Sequence, residues 1–361
     1  MPDFSRRELI KVLLHVPLLT FIPVSAFART GRYMHFYLPP KPFELKARHG
    51  ARPGGRILVI GGIHGNEPGG YRASDVLMDV DVTRGSLLVV PRSNFTSILA
   101  FKRGYNGDMN RKFAGIAKDD PDLVSVERIK QVIRDFRPDV LLSLHDGYGF
   151  NRINSACWGQ SVVIDSEEYS GFKLGEVARE VTAAVNRKIK VEKWHIPVHN
   201  TRTFDKNTHH PEQRKSLTYY SLTQCNTRAF CLEVSKQLPD LKTKVRHHLL
   251  MLEEFFKIYD VEISPDFDTL ISGLRPRHYD KDEFSIDMLI NDKKVNVKAG
   301  STLRVPSASE IKMVSVNGPR GTYIVPVGVN LNWHRFFVRH DMSFLVKRDF
   351  ERVASIRFVI V

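Results

Sequence analysis

Short apolar runs and amphipathic stretches take turns along most of this 361-residue chain. "RILVIGG", "SLLVVP", "DVLLSLHD", "SVVID" and "AFCLEVS" are each four to six apolar residues, rich in Val, Ile and Leu, stopped by Gly, Pro or a polar residue. Runs of that length and branching read as buried strands. Between them, "LVSVERIKQVIRDF" and "KLGEVAREVTAAVNRKI" carry apolar residues at helical spacing, and "KTKVRHHLLMLEEFFKIY" does so later. Strand and helix in turn predict an α/β fold: a mixed, largely parallel sheet flanked by helices.

The pattern changes after "ISPDFD". From about residue 266 onward no helical period is visible. Instead come alternating runs such as "FSIDMLI", "KKVNVKAGSTLRV" and "SIRFVIV", with turn residues at Asn291-Asp292, Ala299-Gly300 and Asn317-Gly318. We expect an α/β unit over 29–262 and a small all-β accessory domain, a sandwich or barrel, over 266–361. A structural cap and a cell-wall binding module are both open readings of the latter.

The first 28 residues stand apart. They start basic, pass through an apolar middle broken by His15 and two prolines, and end on Ala26-Phe27-Ala28, which a signal peptidase accepts. The segment is too short and too polar for a stable membrane anchor, so no such anchor is expected after cleavage. "SRRELIK" within it resembles the twin-arginine export motif, which predicts a periplasmic protein exported folded, with any metal already bound. Removing the leader's three cations and two anions lowers the formal charge only from +14 to +13. Export makes nucleic acid an improbable partner for such a basic surface and favours anionic cell-wall material. Three cysteines, Cys157, Cys225 and Cys231, make no disulfide framework, though Cys225 and Cys231 are free to pair.

The chemistry concentrates where strands end. His64 and Glu67 follow a buried strand within "GGIHGNEPGG", where nothing apolar holds them. In open α/β sheets ligands bind at the carboxyl ends of strands. His145 ends "DVLLSLHD" and Glu233 lies in "AFCLEVS", in the same relation to their strands. Two histidines and a glutamate are an accepted ligand set for a catalytic zinc with an open fourth position, so the expected cofactor is one Zn2+ per chain. A nearby carboxylate such as Glu233 can then take a proton from water and hand it to a leaving amine. A basic segment, "FKRGYNGDMNRKF", adds Arg103, Asn110 and Arg111. Guanidinium groups beside a metal polarise a scissile carbonyl or grip a carboxylate. A solvated basic loop is the plain alternative, against which Phe101, Met109 and Phe113 suggest packing on the domain.

"HGNE", "NRKF", "SLHDG" and "CLEVS", in that order, resemble the zinc carboxypeptidase superfamily, the carboxypeptidase A-like enzymes, over about residues 54–235. The resemblance implies that His64, Glu67 and His145 ligate zinc and that Glu233 is the general base. It implies that Arg111 with Asn110 binds the substrate's terminal carboxylate and that Arg103 stabilises the carbonyl oxygen. With its leader, basic charge and β-rich end, the chain looks like the periplasmic D,L-carboxypeptidases that trim peptidoglycan stem tripeptides to dipeptides and set cell shape. It departs from them in having His64 at a position where glutamine occurs in that branch. "HGNE" is equally familiar in the succinylglutamate desuccinylase and aspartoacylase branch, zinc deacylases of N-acyl amino acids. An inactive cell-wall binding protein on this fold would lack Glu233 or a ligand, and this chain lacks neither.

Further expectations attach to single residues. Asp146, next to His145, is placed to orient a histidine. His209, His210, Tyr219 and Tyr220 are candidates for the substrate groove. Trp158, Trp194 and Trp333 read as core, and His247-His248 as surface on a helix.

Overall fold

The computed structural model describes residues 33–275 and 280–361. The leader expected over 1–28 lies outside the described residues. Along the chain β1 (Met34–Tyr37) and β2 (Lys46–His49) precede β3 (Arg52–Ile60), α1 (Pro68–Leu77), β4 (Asp81–Val90) and the short α2 (Phe95–Ala100). Next come α3 (Leu123–Phe136), β5 (Val140–Gly147), β6 (Ser161–Ile164), α4 (Leu174–Lys188) and β7 (Val198–Asn200). The α/β part closes with α5 (Leu217–Cys225), β8 (Arg228–Ser235), α6 (Leu241–Ile258), β9 (Glu262–Ser264) and α7 (Phe267–Ser272).

Eight strands form one mixed sheet in the order β2-β4-β3-β5-β8-β6-β7, with β9 pairing antiparallel to the first residues of β4. The four central strands, β4, β3, β5 and β8, run parallel. They are the strands read from continuous apolar runs: Ile57 to Ile60 and Val140 to Leu142 are fully buried because helices cover both faces. The amphipathic period works as expected on α3, whose Val126, Ile129 and Ile133 face the core while its charges face out. The chain leaves β3 toward β4 on one side and returns to β5 on the other. The crevice at this reversal of strand order is where the loop after β3 and the end of β5 meet.

The remaining strands are β10 (Ser285–Ile290), β11 (Lys293–Lys298), β12 (Thr302–Val305), β13 (Glu310–Asn317), β14 (Thr322–Pro326), β15 (Arg335–Val338), β16 (Met342–Arg348) and β17 (Glu351–Ile360). They build a five-stranded sheet, β11-β10-β13-β1-β15, and a four-stranded sheet, β12-β17-β16-β14, sharing one core. Phe36, at the centre of that core, lies 4.9 Å by ring centroid from both Phe344 and Phe358.

Three details differ from the sequence expectation. Met34–Tyr37, inside the span 29–262, pairs with β13 and β15 in the all-β unit. Its buried Met34 and Phe36 alternate with half-exposed neighbours, a period-2 strand whose partners lie some 275 to 300 residues away and so leave no local trace. Phe267–Ser272 is a helix of six residues, capped by Asp266 on Thr269 N–H, too short to show a period. Of the three tryptophans expected in the core, Trp333 is 57% exposed and Trp158 is half-buried, while Trp194, also half-buried, packs against the core's edge.

The two units are joined by apolar and ionic contacts. Tyr71, Phe95, Ile98 and Leu99 pack with Tyr323 and Val325 of β14. Beside them Arg92, buried, donates to Asp75 at 2.8 Å and Asp349 at 2.6 Å, and Arg348 donates to Asp75 at 2.6 Å.

Candidate metal centre and active site

His64 and Glu67 occupy the loop between β3 and α1. The loop is pinned to its neighbours: Ser93 N–H donates to the Gly61 carbonyl and Asn94 N–H to that of Gly62, whose φ is +73°. Gly65 cannot be replaced without movement, since a Cβ there would come within 2.0 Å of the Ser97 backbone. The residue after Glu67, Pro68, opens α1, so the carboxylate is held at the foot of a helix rather than on a free loop.

Three side chains converge. His64 Nδ1 lies 3.0 Å from Glu67 Oε1 and 3.0 Å from His145 Nδ1, which is itself 2.9 Å from Glu67 Oε2. All three residues are buried. Among the described residues they are the group of three His, Cys, Asp or Glu side chains able to hold a metal ion. The outer ring nitrogens are also engaged: His64 Nε2 meets Asp108 Oδ1 at 2.9 Å, and His145 Nε2 meets Ser143 Oγ at 2.9 Å. Asp108 only accepts, so His64 Nε2 carries the proton and its Nδ1 lone pair points inward. Ser143 can accept from His145 in the same way. Two nitrogen lone pairs and a carboxylate facing one point demand a positive charge between them. Two imidazoles and one carboxylate, each with an outer partner, fit a catalytic zinc site.

The electrostatics agree. Although burial works against it, Glu67 and Asp108 raise the His64 pKa above its ordinary value. Burial likewise opposes ionisation of Glu67, but His64 and His145 hold its carboxyl well below the usual range. Asp108 is held low against its burial by His64, Arg103 and Arg111.

Glu233 stands beside this cluster because β5 and β8 are parallel partners in register, His145 opposite Glu233 and Ser143 opposite Cys231. Cys231 Sγ donates to Glu233 Oε1 at 3.5 Å, while Oε2 is buried with no hydrogen-bond partner. Burial and then the Glu67 carboxylate push the Glu233 acid well above its ordinary value, a push that a divalent cation at the cluster opposes. Gly147 makes room for it: a Cβ there would sit 2.8 Å from Glu233 Oε2.

The seven residues expected to ligate metal, carry the chemistry or bind the terminal carboxylate all line one cavity of about 380 Å³. That is the small end of the range for ligand pockets, suited to the end of a peptide. Arg103 donates to Glu67 Oε1 at 3.2 Å and to Asp108 Oδ2 at 3.0 Å. Asn110 accepts the Leu217 N–H at 3.0 Å through its carbonyl oxygen, leaving its NH2 group as the donor it can offer. Arg111 is partly exposed in the cavity wall, 4.0 Å from Glu212.

Other expectations fare differently. Asp146 touches neither histidine of the cluster. Its carboxylate accepts the N–H groups of Gly69 at 2.8 Å and Gly70 at 3.0 Å, capping α1 and so fixing the helix that carries Glu67. It also meets His248 Nε2 at 3.3 Å, and His247 and His248 are buried, contrary to the surface reading. Their helix α6 lies between α1 and α4 and so buries more than one face. His210 lines the cavity and His209 does not. Tyr219 packs on Phe204, and Tyr220 takes a hydrogen bond from Arg134 at 3.3 Å; neither lines the cavity. Cys157, Cys225 and Cys231 are all free thiols.

Four residues were not assigned to the site from the sequence: Asp108, Ser143, Asp165 and Cys231, the last named there only as a cysteine free to pair. Ser143 and Cys231 lie two positions before His145 and Glu233, hence on the same sheet face. That spacing was a usable signal. Asp165 ends "SVVID" as His145 ends its own strand.

A family model for the catalytic part of carboxypeptidases controlling helical cell shape matches residues 41–275. No curated protein sequence matches the chain. Among solved structures, tripeptide-bound cell shape determinant Csd4 from Helicobacter pylori is similar with a TM-score of 0.58 at 22% identity, covering 89% of this chain and 100% of that one. The mDAP-bound form of Helicobacter pylori Csd4, described as a D,L-carboxypeptidase, gives 0.57 at 22% identity over 88% and 100%. At this identity the likeness is one of fold.

Proposed function

The chain belongs to the family of carboxypeptidases that control helical cell shape and is a hydrolase of that kind, and we propose that it is a periplasmic, zinc-dependent D,L-carboxypeptidase acting on peptidoglycan stem tripeptides. The observation that carries this reading is that one cavity brings His64, Glu67, His145 and Glu233 together with the donors Asn110 and Arg111. A site with a carboxylate clamp opposite its hydrolytic groups cuts one residue from a free C-terminus. Csd4, with the same fold, is described with a tripeptide and with mDAP bound.

His64, Glu67 and His145 would hold the zinc. When bound, it supplies Lewis-acid activation of water and of the scissile carbonyl. Arg111 and Asn110 grip the terminal carboxylate and so fix which amide is presented. Glu233, through its unpartnered Oε2, takes the proton of the attacking water and delivers it to the nitrogen of the leaving residue as the C–N bond breaks. Arg103, held by Asp108, is placed to stabilise negative charge on the carbonyl oxygen. The products are the dipeptide and the free C-terminal amino acid.

Export by the twin-arginine route belongs to the same proposal and rests on the sequence of residues 5–11. Among the described residues no helix is long and apolar enough to cross a membrane. Purified protein incubated with defined muropeptides and with N-acyl amino acids tests the function. Dipeptide appearing from tripeptide, abolished by chelator, is the expected result. Release of acyl groups without dipeptide would replace it by the deacylase reading.

A further inference from the structure

The reaction described above leaves one buried acid in the cavity without a task. Asp165 is 4% exposed, follows β6 directly and lines the same cavity as Arg111 and Glu233. β6 runs antiparallel to β8 with Ser161 opposite Glu233 and Val163 opposite Cys231. Asp165, two residues past Val163, shares its side of the strand and continues this sheet face away from Glu233. The order along that face is therefore general base, then the small apolar pair Cys231 and Val163, then a carboxyl group.

Its partners are neutral hydroxyls. Thr203 Oγ1 donates to Oδ1 at 2.6 Å, and Thr218 and the Arg111 cation also favour the ionised carboxylate, but less than burial opposes it. Among the described residues no Lys or Arg is hydrogen-bonded or ion-paired to it. Burial raises its pKa, the expected response of a desolvated carboxyl that lacks a charge partner. Buried acids are rare unless a cation meets them. Here the open side is the cavity, so that cation must come with a ligand. A metal ion suits the position badly, since among the described residues no second acid or histidine joins Asp165 in a ligand group. An ammonium on a methylene chain suits it well, because Val163 and Cys231 offer the chain apolar contact on the way.

We propose that Asp165 is a specificity-determining residue that accepts the side-chain ammonium of the substrate's C-terminal residue, making the enzyme selective for a terminal diamino acid. This rests on the carboxypeptidase reading. With the terminal carboxylate on Arg111 and the scissile amide beside Glu233, the departing residue's side chain runs along Cys231 and Val163 to Asp165. Two opposite charges at the two ends of the residue then fix its length as well as its charge. A neutral chain of equal length leaves Asp165 buried and unpaired, which is how a polar site rejects an apolar analogue.

The test compares the full-length mature protein and Asp165→Asn on tripeptides that differ only in the last residue: diaminopimelate, lysine or norleucine. Wild type is expected to favour diaminopimelate and lysine over norleucine by at least roughly a hundredfold in kcat/KM. Asp165→Asn keeps the hydroxyl contacts and removes the charge. It should lose most of that preference, chiefly through a higher KM for the two substrates that carry a side-chain ammonium, with metal content unchanged. Equal wild-type rates on lysine and norleucine peptides overturn the assignment even if the variant fails to fold. So does a folded variant with undiminished preference. No cleavage of any of the three peptides by metal-loaded wild type is a different result, which removes the carboxypeptidase reading instead.

Discussion

His145 and Glu233 are directly opposed on adjacent parallel strands, and the residues two positions before them, Ser143 and Cys231, are opposed as well. Each lower residue hydrogen-bonds the one above it, at 2.9 Å and 3.5 Å. A ligand candidate and a base candidate are thus set side by side by sheet register, the least deformable relationship the fold has.

Replacing His64, Glu67 or His145 by Ala should remove the metal and the activity together, since each change leaves two protein ligands. Metal analysis of the three purified variants checks this. Stoichiometric zinc in all of them would place the metal elsewhere.

Asp108→Ala should weaken metal binding by about 10- to 100-fold without deleting a ligand, because His64 loses the acceptor that fixes its ring and tautomer. Competition with a chelator of known affinity reads this out. Unchanged affinity would reduce Asp108 to a cap on Asn110 N–H, which it also accepts at 2.9 Å.

For Glu233→Gln the expectation is retained metal with turnover at least roughly a hundredfold lower, the usual scale for a lost general base. Single-turnover kinetics with the tripeptide measure it. A variant nearly as fast as wild type would give the proton transfer to another group.

Asp75 joins Arg92, Arg320 and Arg348 at the junction of the two units. Burial opposes its ionisation, but Arg92 and Arg320 win and lower its pKa. The stability it lends is therefore present above the unfolded value near 3.8 and lost as pH falls through the lower folded value. Asp75→Asn should cost about 3–5 kcal/mol at neutral pH, the scale for breaking a buried charge network. Denaturant unfolding tests it, and a loss under about 1 kcal/mol would show the arginines re-pairing among Glu44, Asp79 and Asp349.

His247 contributes a second pH term of different range. Burial, then Arg246 and His248, lower its pKa to about 3, and Gln160 Nε2 contacts its Nδ1 at 3.1 Å. Folded protein keeps it neutral, so below the unfolded value of 6.5 the unfolded chain alone gains the proton. Stability should fall with pH from about 6.5 downward, by up to about 1.4 kcal/mol per unit from this residue. His247→Gln should flatten that slope between pH 6.5 and 4. An identical slope would mean that the imidazole protonates in place.

The fold and most of the site were readable for one reason: both lie in local pattern. Continuous apolar runs name the central strands, and polar residues at their carboxyl ends name His64, Glu67, His145 and Glu233. What stayed hidden is non-local. His247 and His248 look like solvated residues in a charged helix until α6 is found packed between α1 and α4. Asp146 adjoins a ligand in sequence, yet neighbouring strand residues point to opposite faces, so it serves the helix instead of the histidine.

The sequence by itself determined the α/β class, the all-β end and the residue types able to bind metal and move a proton. It could do so because strand and helix periods, glycine-rich turns and strand-end polarity are properties of a few adjacent residues. Only the tertiary structure decided that Met34–Tyr37 joins a sheet some 275 to 300 residues away, that Asp108 meets His64, and that buried Asp165 lines the same cavity. Those facts depend on strand order and register, which bring distant residues within hydrogen-bond range and are encoded by no single stretch of chain.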